Sequence, residues 1–256
     1  MMKMLLGSAL LAYAAPGVAQ VQARYSEDHG RRIVLWEVAA NGDYRVGDAD
    51  GQRHRLTIGR QTWEVAFADG RWHVATIETI AEARERTTSA FLRGVARYLS
   101  NVAARQGDNL YSQGRVTVAG FPGTRYLYAT DAELSQPEDE HGAGIGPIAF
   151  DDRRVVISDD ARLLALGEAM RRHSADDLAL SGGLIDNPAR NQLHHSLDWL
   201  ASHGTVLEND SAGFRLVIAT FEAPAPERLR LPNVAPHDVE ALVRLIRARQ
   251  DPFAPR

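Results

Sequence analysis

The sequence predicts an α+β protein whose framework is an antiparallel sheet, and three observations predict it. Between Arg32 and Ile77, short runs of alternating polarity are separated by Asn41-Gly42, Asp50-Gly51 and Asp69-Gly70, pairs favoured in tight hairpin turns. After Ile77 the apolar period changes from two to three or four, the spacing of a helix. Strand-like runs then resume from Arg115, and the chain closes on a helical stripe beyond Pro236.

The first region reads as a meander. Trp63, Val65 and Phe67 share one face, as do Trp72, Val74 and Thr76 across the Asp69-Gly70 turn. Thr62, Glu64, Arg71 and His73 alternate with them, so one face is expected to be apolar and the other wet, as in a sheet packed on one side. Ile80, Ala83, Thr87, Phe91, Val95, Tyr98, Leu99 and Val102 predict one long helix or two shorter ones, weakened at Gly94 and left at Gly107-Asp108-Asn109.

Two strands are expected at Arg115 to Val118 and Thr124 to Thr130, around Gly120-Phe121-Pro122-Gly123, with Tyr126 and Tyr128 on one face. The acidic stretch Pro137 to Glu140 and the glycine-rich 142–146 read as a loop before a strand at Val155 to Ile157. Ser158-Asp159-Asp160 signals a helix start, with Leu163, Leu164, Leu166 and Met170 inside and Arg171, Arg172 and His173 at its end. A helix over Pro188 to His203 stops at Gly204; strands follow at Thr205 to Leu207 and Phe214 to Phe221. Pro236-His237-Asp238 starts a final helix with Val239, Leu242, Val243 and Ile246 in a stripe. No repeat, proline-rich linker or domain boundary interrupts this order, so residues 20–256 are read as a single domain.

Composition narrows the chemistry. Residues 1–19 join Lys3 to an apolar stretch, Met4 to Ala15, and to small residues at Gly17 and Ala19, the pattern of a cleaved export signal. The stretch is too short to span a bilayer, so no stable membrane span is expected after cleavage. With zero cysteines there is neither a disulfide frame nor a lipid-attachment site, and the expected location is the periplasm or the medium. Lys3 is the only lysine; a mature chain without it lacks P-loop and Schiff-base lysines, and cysteine nucleophiles are absent as well. Its loss takes the net charge from -4 to about -5, with arginines mixed among acids, which argues against nucleic acid.

Asn41-Gly42-Asp43-Tyr44-Arg45, Arg115-Val116-Thr117-Val118-Ala119-Gly120-Phe121, and Leu197-Asp198-Trp199-Leu200 running to Gly204-Thr205-Val206 carry a resemblance, completed by Phe221-Glu222-Ala223 and Leu229-Arg230-Leu231-Pro232 as a closing strand. In these motifs and in element order, the chain resembles the LolA-like periplasmic lipoprotein-carrier fold, and more closely a set of exported bacterial domains sharing that fold. The resemblance implies a curved half-barrel sheet whose concave face, partly plugged by helices, holds an acyl chain or another apolar ligand. It implies lipid, lipoprotein or another envelope protein as partners, and no cofactor.

Trp36, Trp63, Phe67, Trp72, Tyr126 and Tyr128 are the candidates for lining such a pocket, since an incompletely closed sheet exposes an apolar face. The same aromatics equally suit an ordinary core, in which case the protein is a structural interaction module. The alternative chemistry is a hydrolase or zinc site at His194, His195, Asp198 and His203, but no His-Glu-x-x-His pattern is present and one helix cannot point all four at one ion. The pairs Asp151-Asp152, Asp159-Asp160 and Asp176-Asp177 read as caps and solvated turns rather than paired catalytic acids. Ser181-Gly182-Gly183 lacks the nucleophile-elbow pattern.

Overall fold

The computed structural model describes residues 20–89, 109–129, 153–181 and 199–254. The expected export signal, residues 90–108, the acidic and glycine-rich stretch, and His194, His195 and Asp198 lie outside the described residues.

Eleven strands form one antiparallel sheet: β1 (Val21–Glu27), β2 (Arg32–Val38), β3 (Tyr44–Asp48), β4 (Arg53–Ile58), β5 (Gln61–Ala68), β6 (Arg71–Thr76), β7 (Asn109–Val118), β8 (Phe121–Ala129), β9 (Arg154–Ser158), β10 (Thr205–Asn209) and β11 (Phe214–Thr220). Their order is β6-β5-β4-β3-β2-β1-β11-β10-β9-β8-β7, so the sheet is open, with β6 and β7 at its edges. The first strand, β1, escaped the sequence reading, yet it joins the two halves through β2 on one side and β11 on the other.

Turn chemistry explains the hairpins. Asp69 and Gly70 both have positive φ, the requirement of the two-residue turn that matches strand twist. Ala119 and Gly120 adopt the same conformation between β7 and β8, a tighter turn than the one expected over residues 120–123. Gly123 instead lies inside β8, where a Cβ would sit 2.7 Å from a Val156 methyl group.

Three helices and a helical turn at 199–201 accompany the sheet among the described residues: α1 (Ile77–Thr87), α2 (Leu164–Ser181) and α3 (Val239–Arg247). None is long and apolar enough to cross a membrane. Thr76 caps α1 by accepting the Thr79 N–H, and Asp238 caps α3 through the Ala241 N–H, the end signals expected of such residues. Thr88 is extended and ends α1, in keeping with the reading of two shorter helices rather than one long one; the rest of that stretch lies outside the described residues. Helix α2 runs past the expected end at His173, because the polar residues that read as an exit are drawn inward: Ser174 is buried and Asp177 meets Arg55 of β4.

The strand register assigns side chains to faces. Val34, Trp36 and Val38 align with Tyr44 and Val46, and these with Arg55, Thr57, Thr62, Glu64, Ala66, His73 and Ala75. This is the face beneath the helices. Leu163, Leu166, Ala169 and Met170 join its apolar cluster over the sheet centre, and α1, α3, Leu180 and Phe253 close over Ala66 and Ala75. Gly167 allows the close approach of α2 to β10, since a Cβ there would meet Thr205 Oγ1 at 2.7 Å. At about 1.5 Å per residue, α2 is about 27 Å long, enough to cross five or six strands.

The expectation of a wet second face is therefore corrected. Thr62, Glu64 and His73, expected to be solvated, are buried under helices, while Leu56, Val65 and Val74 on the opposite face are buried too. That opposite face is crossed by residues 221–238. The Gln22 amide donates to the Glu222 and Ala223 carbonyls, Arg228 pairs with Glu37, and the His237 backbone N–H donates to the Val74 carbonyl at the β6 edge at 2.8 Å. The segment expected as a closing strand is this strap, irregular except for a 3-10 turn at Pro226–Leu229. Four prolines, at 224, 226, 232 and 236, deny it the N–H groups a ladder needs.

Candidate functional site

Between α2 and the sheet lies a charged network where the layer should be apolar. Arg55 is buried, and its guanidinium donates to Glu64 Oε1 from Nε (2.9 Å) and Nη2 (2.6 Å), and to Asp177 Oδ1 from Nη2 (2.7 Å). Nη1 donates to the His173 carbonyl (3.2 Å) and to His173 Nδ1 (3.0 Å). A guanidinium has five N–H donors and no acceptor, so every donor is committed. Burial alone would lower the Arg55 pKa; the charges of Asp177 and Glu64 outweigh it and hold the group firmly protonated.

The same logic fixes the imidazole. Because Arg55 can only donate, His173 Nδ1 accepts, and the proton of the neutral ring sits on Nε2, 3.5 Å from Asp177 Oδ2. One turn away, Asp176 accepts from the Tyr44 hydroxyl at 3.5 Å, while Thr57 and Thr62 share a 3.0 Å hydrogen bond. Burial raises the Asp176 carboxyl above its ordinary range, and burial pushes Tyr44 up to about 12. Arg172 closes the outer end, its guanidinium 5.5 Å from the Tyr44 ring centre and bonded to the Gly42 and Gly59 carbonyls. An arginine with no donor left cannot clamp a substrate oxyanion. The chemistry of this network is positional: it seats the C-terminal half of α2.

Trp36 lies beside it, with its ring 5.2 Å from His173 and 6.3 Å from Tyr44. It is only 5% exposed, and its indole Nε1 has no hydrogen-bond partner. Buried N–H donors are almost always paired. This one is an open donor within the apolar layer, of the kind that a bound acceptor would satisfy.

The six aromatics proposed as pocket lining do not share one face. By register, Trp36, Tyr126 and Tyr128 face the helices, the tyrosines through their alignment with Val155, Asn209 and Phe214. Trp63, Phe67 and Trp72 lie half-buried on the strap side, where Phe67 and Trp72 meet edge to face at 5.2 Å. Tyr128 is buried and bonded to Ser211 at 2.7 Å. Of the alternative histidine cluster, only His203 lies within the described residues; its Nδ1 is engaged by the Trp199 carbonyl at 2.9 Å, so it terminates its own helical turn. Among the described residues, no three His, Asp or Glu side chains are grouped to hold a metal ion.

Sequence reasoning missed Arg55, Glu64, His173 and Asp177. The alternation in β4 and β5 already put Arg55 and Glu64 on one face; taking that face as wet hid their meeting. It also missed the strap side, where buried Glu37 bonds Arg45 at 2.8 Å as well as Arg228, beside a buried His54. No protein-family model, no curated protein and no solved structure matches this chain.

Proposed function

We propose that the protein is an exported, non-catalytic binding protein of the bacterial envelope, holding an apolar ligand or a lipidated segment between its helix layer and its open sheet. The observation that carries this reading is Trp36: a buried donor without an acceptor, set in the apolar layer of a sheet that does not close on itself. The saturation of Arg55 supports a binding role over a hydrolytic one. The half-barrel geometry and lipoprotein-carrier likeness belong to the same reading, and they rest on the resemblance of the Asn41 to Arg45 and Arg115 to Phe121 stretches together with the order of elements.

Ligand chemistry follows from the lining. Apolar side chains select a chain or ring, and one indole N–H selects a carbonyl or carboxylate oxygen at its polar end. The test is titration of the full chain with a fluorescent fatty acid and with a hydrocarbon probe lacking oxygen. Saturable binding of the acid, weakened in Trp36→Phe while the hydrocarbon is unaffected, is the expected result; no saturable binding of either probe overturns the reading.

A further inference from the structure

The strap is fastened to the sheet edge by two histidines. His73, on β6, is 2% exposed, and its Nδ1 lies 2.9 Å from Nε2 of His237 at the end of the strap. The ring planes differ by 15° and the centroids are 5.1 Å apart. That separation exceeds the N···N distance by about two centre-to-nitrogen radii of an imidazole. The rings therefore meet end to end in nearly one plane, joined by a linear N–H···N bond rather than stacked face on face. Lone pairs aimed at each other this closely leave no room for a metal ion between them.

Such a bond holds one proton. His73 Nε2 is buried with no partner, and an unpaired lone pair is tolerated there more readily than an unpaired N–H. The bridging proton therefore sits on His73 Nδ1 and is donated to His237. A second proton, taken from solvent, must either occupy the buried His73 Nε2 as an unpaired cation or place N–H against N–H at 2.9 Å. The first buries a charge and an N–H with no acceptor, and the second sets two donors against each other, so either one destabilises the fastened state.

The surroundings do not absorb the added charge. Arg71 lies on β6; Arg53 of β4 and Arg84 of α1 both donate to the carbonyl of Phe253, whose ring meets His237 at 6.4 Å. The acids nearby are committed: Asp238 caps α3, Asp251 pairs with Arg84, and Glu64 of β5 pairs with Arg55. Burial, then the charges of His73 and Arg71, outweigh the opposing charge of Asp238 and hold the His237 pKa below its ordinary value.

We propose that His73 and His237 form a pH-operated latch, which holds the strap 221–238 against the β6 edge at neutral pH and releases it on acidification. Release would uncover the β6 edge and the buried Leu56, Val65 and Val74 on the strap side. The inference needs no ligand and stands apart from the binding role.

Hydrogen–deuterium exchange of the full chain at pH 7.5 and 5.0, corrected for the intrinsic pH dependence of exchange, tests it. At pH 5.0, His54 is still neutral, since burial pushes its pKa down to about 4. We expect protection of peptides over residues 231–238 to fall at least about tenfold at pH 5.0 and to recover on return, while β7 and β8 keep theirs. In His237→Asn and in His73→Phe, the second guarding against misfolding of the first, strap protection should be equal at the two pH values. The latch is overturned by unchanged wild-type protection, by an equal loss over β7 and β8, or by the wild-type response persisting in either folded variant.

Discussion

Arg55 of β4 and Asp177 of α2 meet at 2.7 Å in the layer between sheet and helix, with Glu64 on the other side of the guanidinium. Removing one partner from a buried pair strands the other, at about 3–5 kcal/mol. Asp177→Asn should lower unfolding free energy by an amount in that range, measured by urea denaturation. Replacing Arg55, Glu64 and Asp177 together by Met, Leu and Leu should cost far less or stabilise, because the desolvation of three charges is removed with them. A triple variant as unstable as Asp177→Asn would contradict this account.

The open indole donor makes a prediction about the ligand-free protein. Trp36→Phe removes a buried unpaired N–H, a relief of about 1–3 kcal/mol, which offsets much of the lost packing. The variant should be destabilised by less than about 2 kcal/mol in urea, against about 3–5 kcal/mol for Trp36→Ala.

At Ala119 the backbone holds a residue with a Cβ in the left-handed region, at φ 51. Ala119→Asn converts the turn to Asn-Gly, the favoured pair for this conformation. It should stabilise by about 0.5–1 kcal/mol, read as a rise in Tm of about 1–4 °C. A fall in Tm would show that the turn is held by something other than its own conformation.

Acid sensitivity follows from the buried histidines. Burial pushes the His54 pKa down to about 4, and Arg45 adds to the effect. The unfolded chain takes up a proton near pH 6.5 while folded His54 does not, so stability is full above about pH 6.5 and falls as the pH drops toward 4. The loss from His54 is on the order of 3 kcal/mol. Urea midpoints at pH 7.5, 5.5 and 4.5 should decline in the wild type and decline less in His54→Gln; equal declines would contradict the assignment.

Much of the fold was legible in the sequence because hairpins and helix starts are local. Asp69-Gly70 and Asp238 each act within a few residues of themselves, and each does what its residue type predicts. The faces were not legible, because burial on both sides of a sheet depends on what returns from far along the chain. His73 and Glu64 alternate like solvent residues, yet His237 and Arg55 make them interior ones. The strap was misread for the same reason: Leu229 to Pro232 has the composition of a strand end, and its place is set by Arg228 on Glu37 and His237 on Val74. The site was legible only as aromatic residue types, not as a face.

The binding role is tested most directly by native mass spectrometry of the full chain expressed with export and purified from the periplasm, followed by lipid extraction. The account predicts a population carrying an added mass of a few hundred daltons, on the order of one drug-sized or acyl ligand, which extraction removes and identifies as an apolar molecule with a carbonyl or carboxylate end. Protein recovered solely at its own mass, and taking up no added fatty acid, would contradict it.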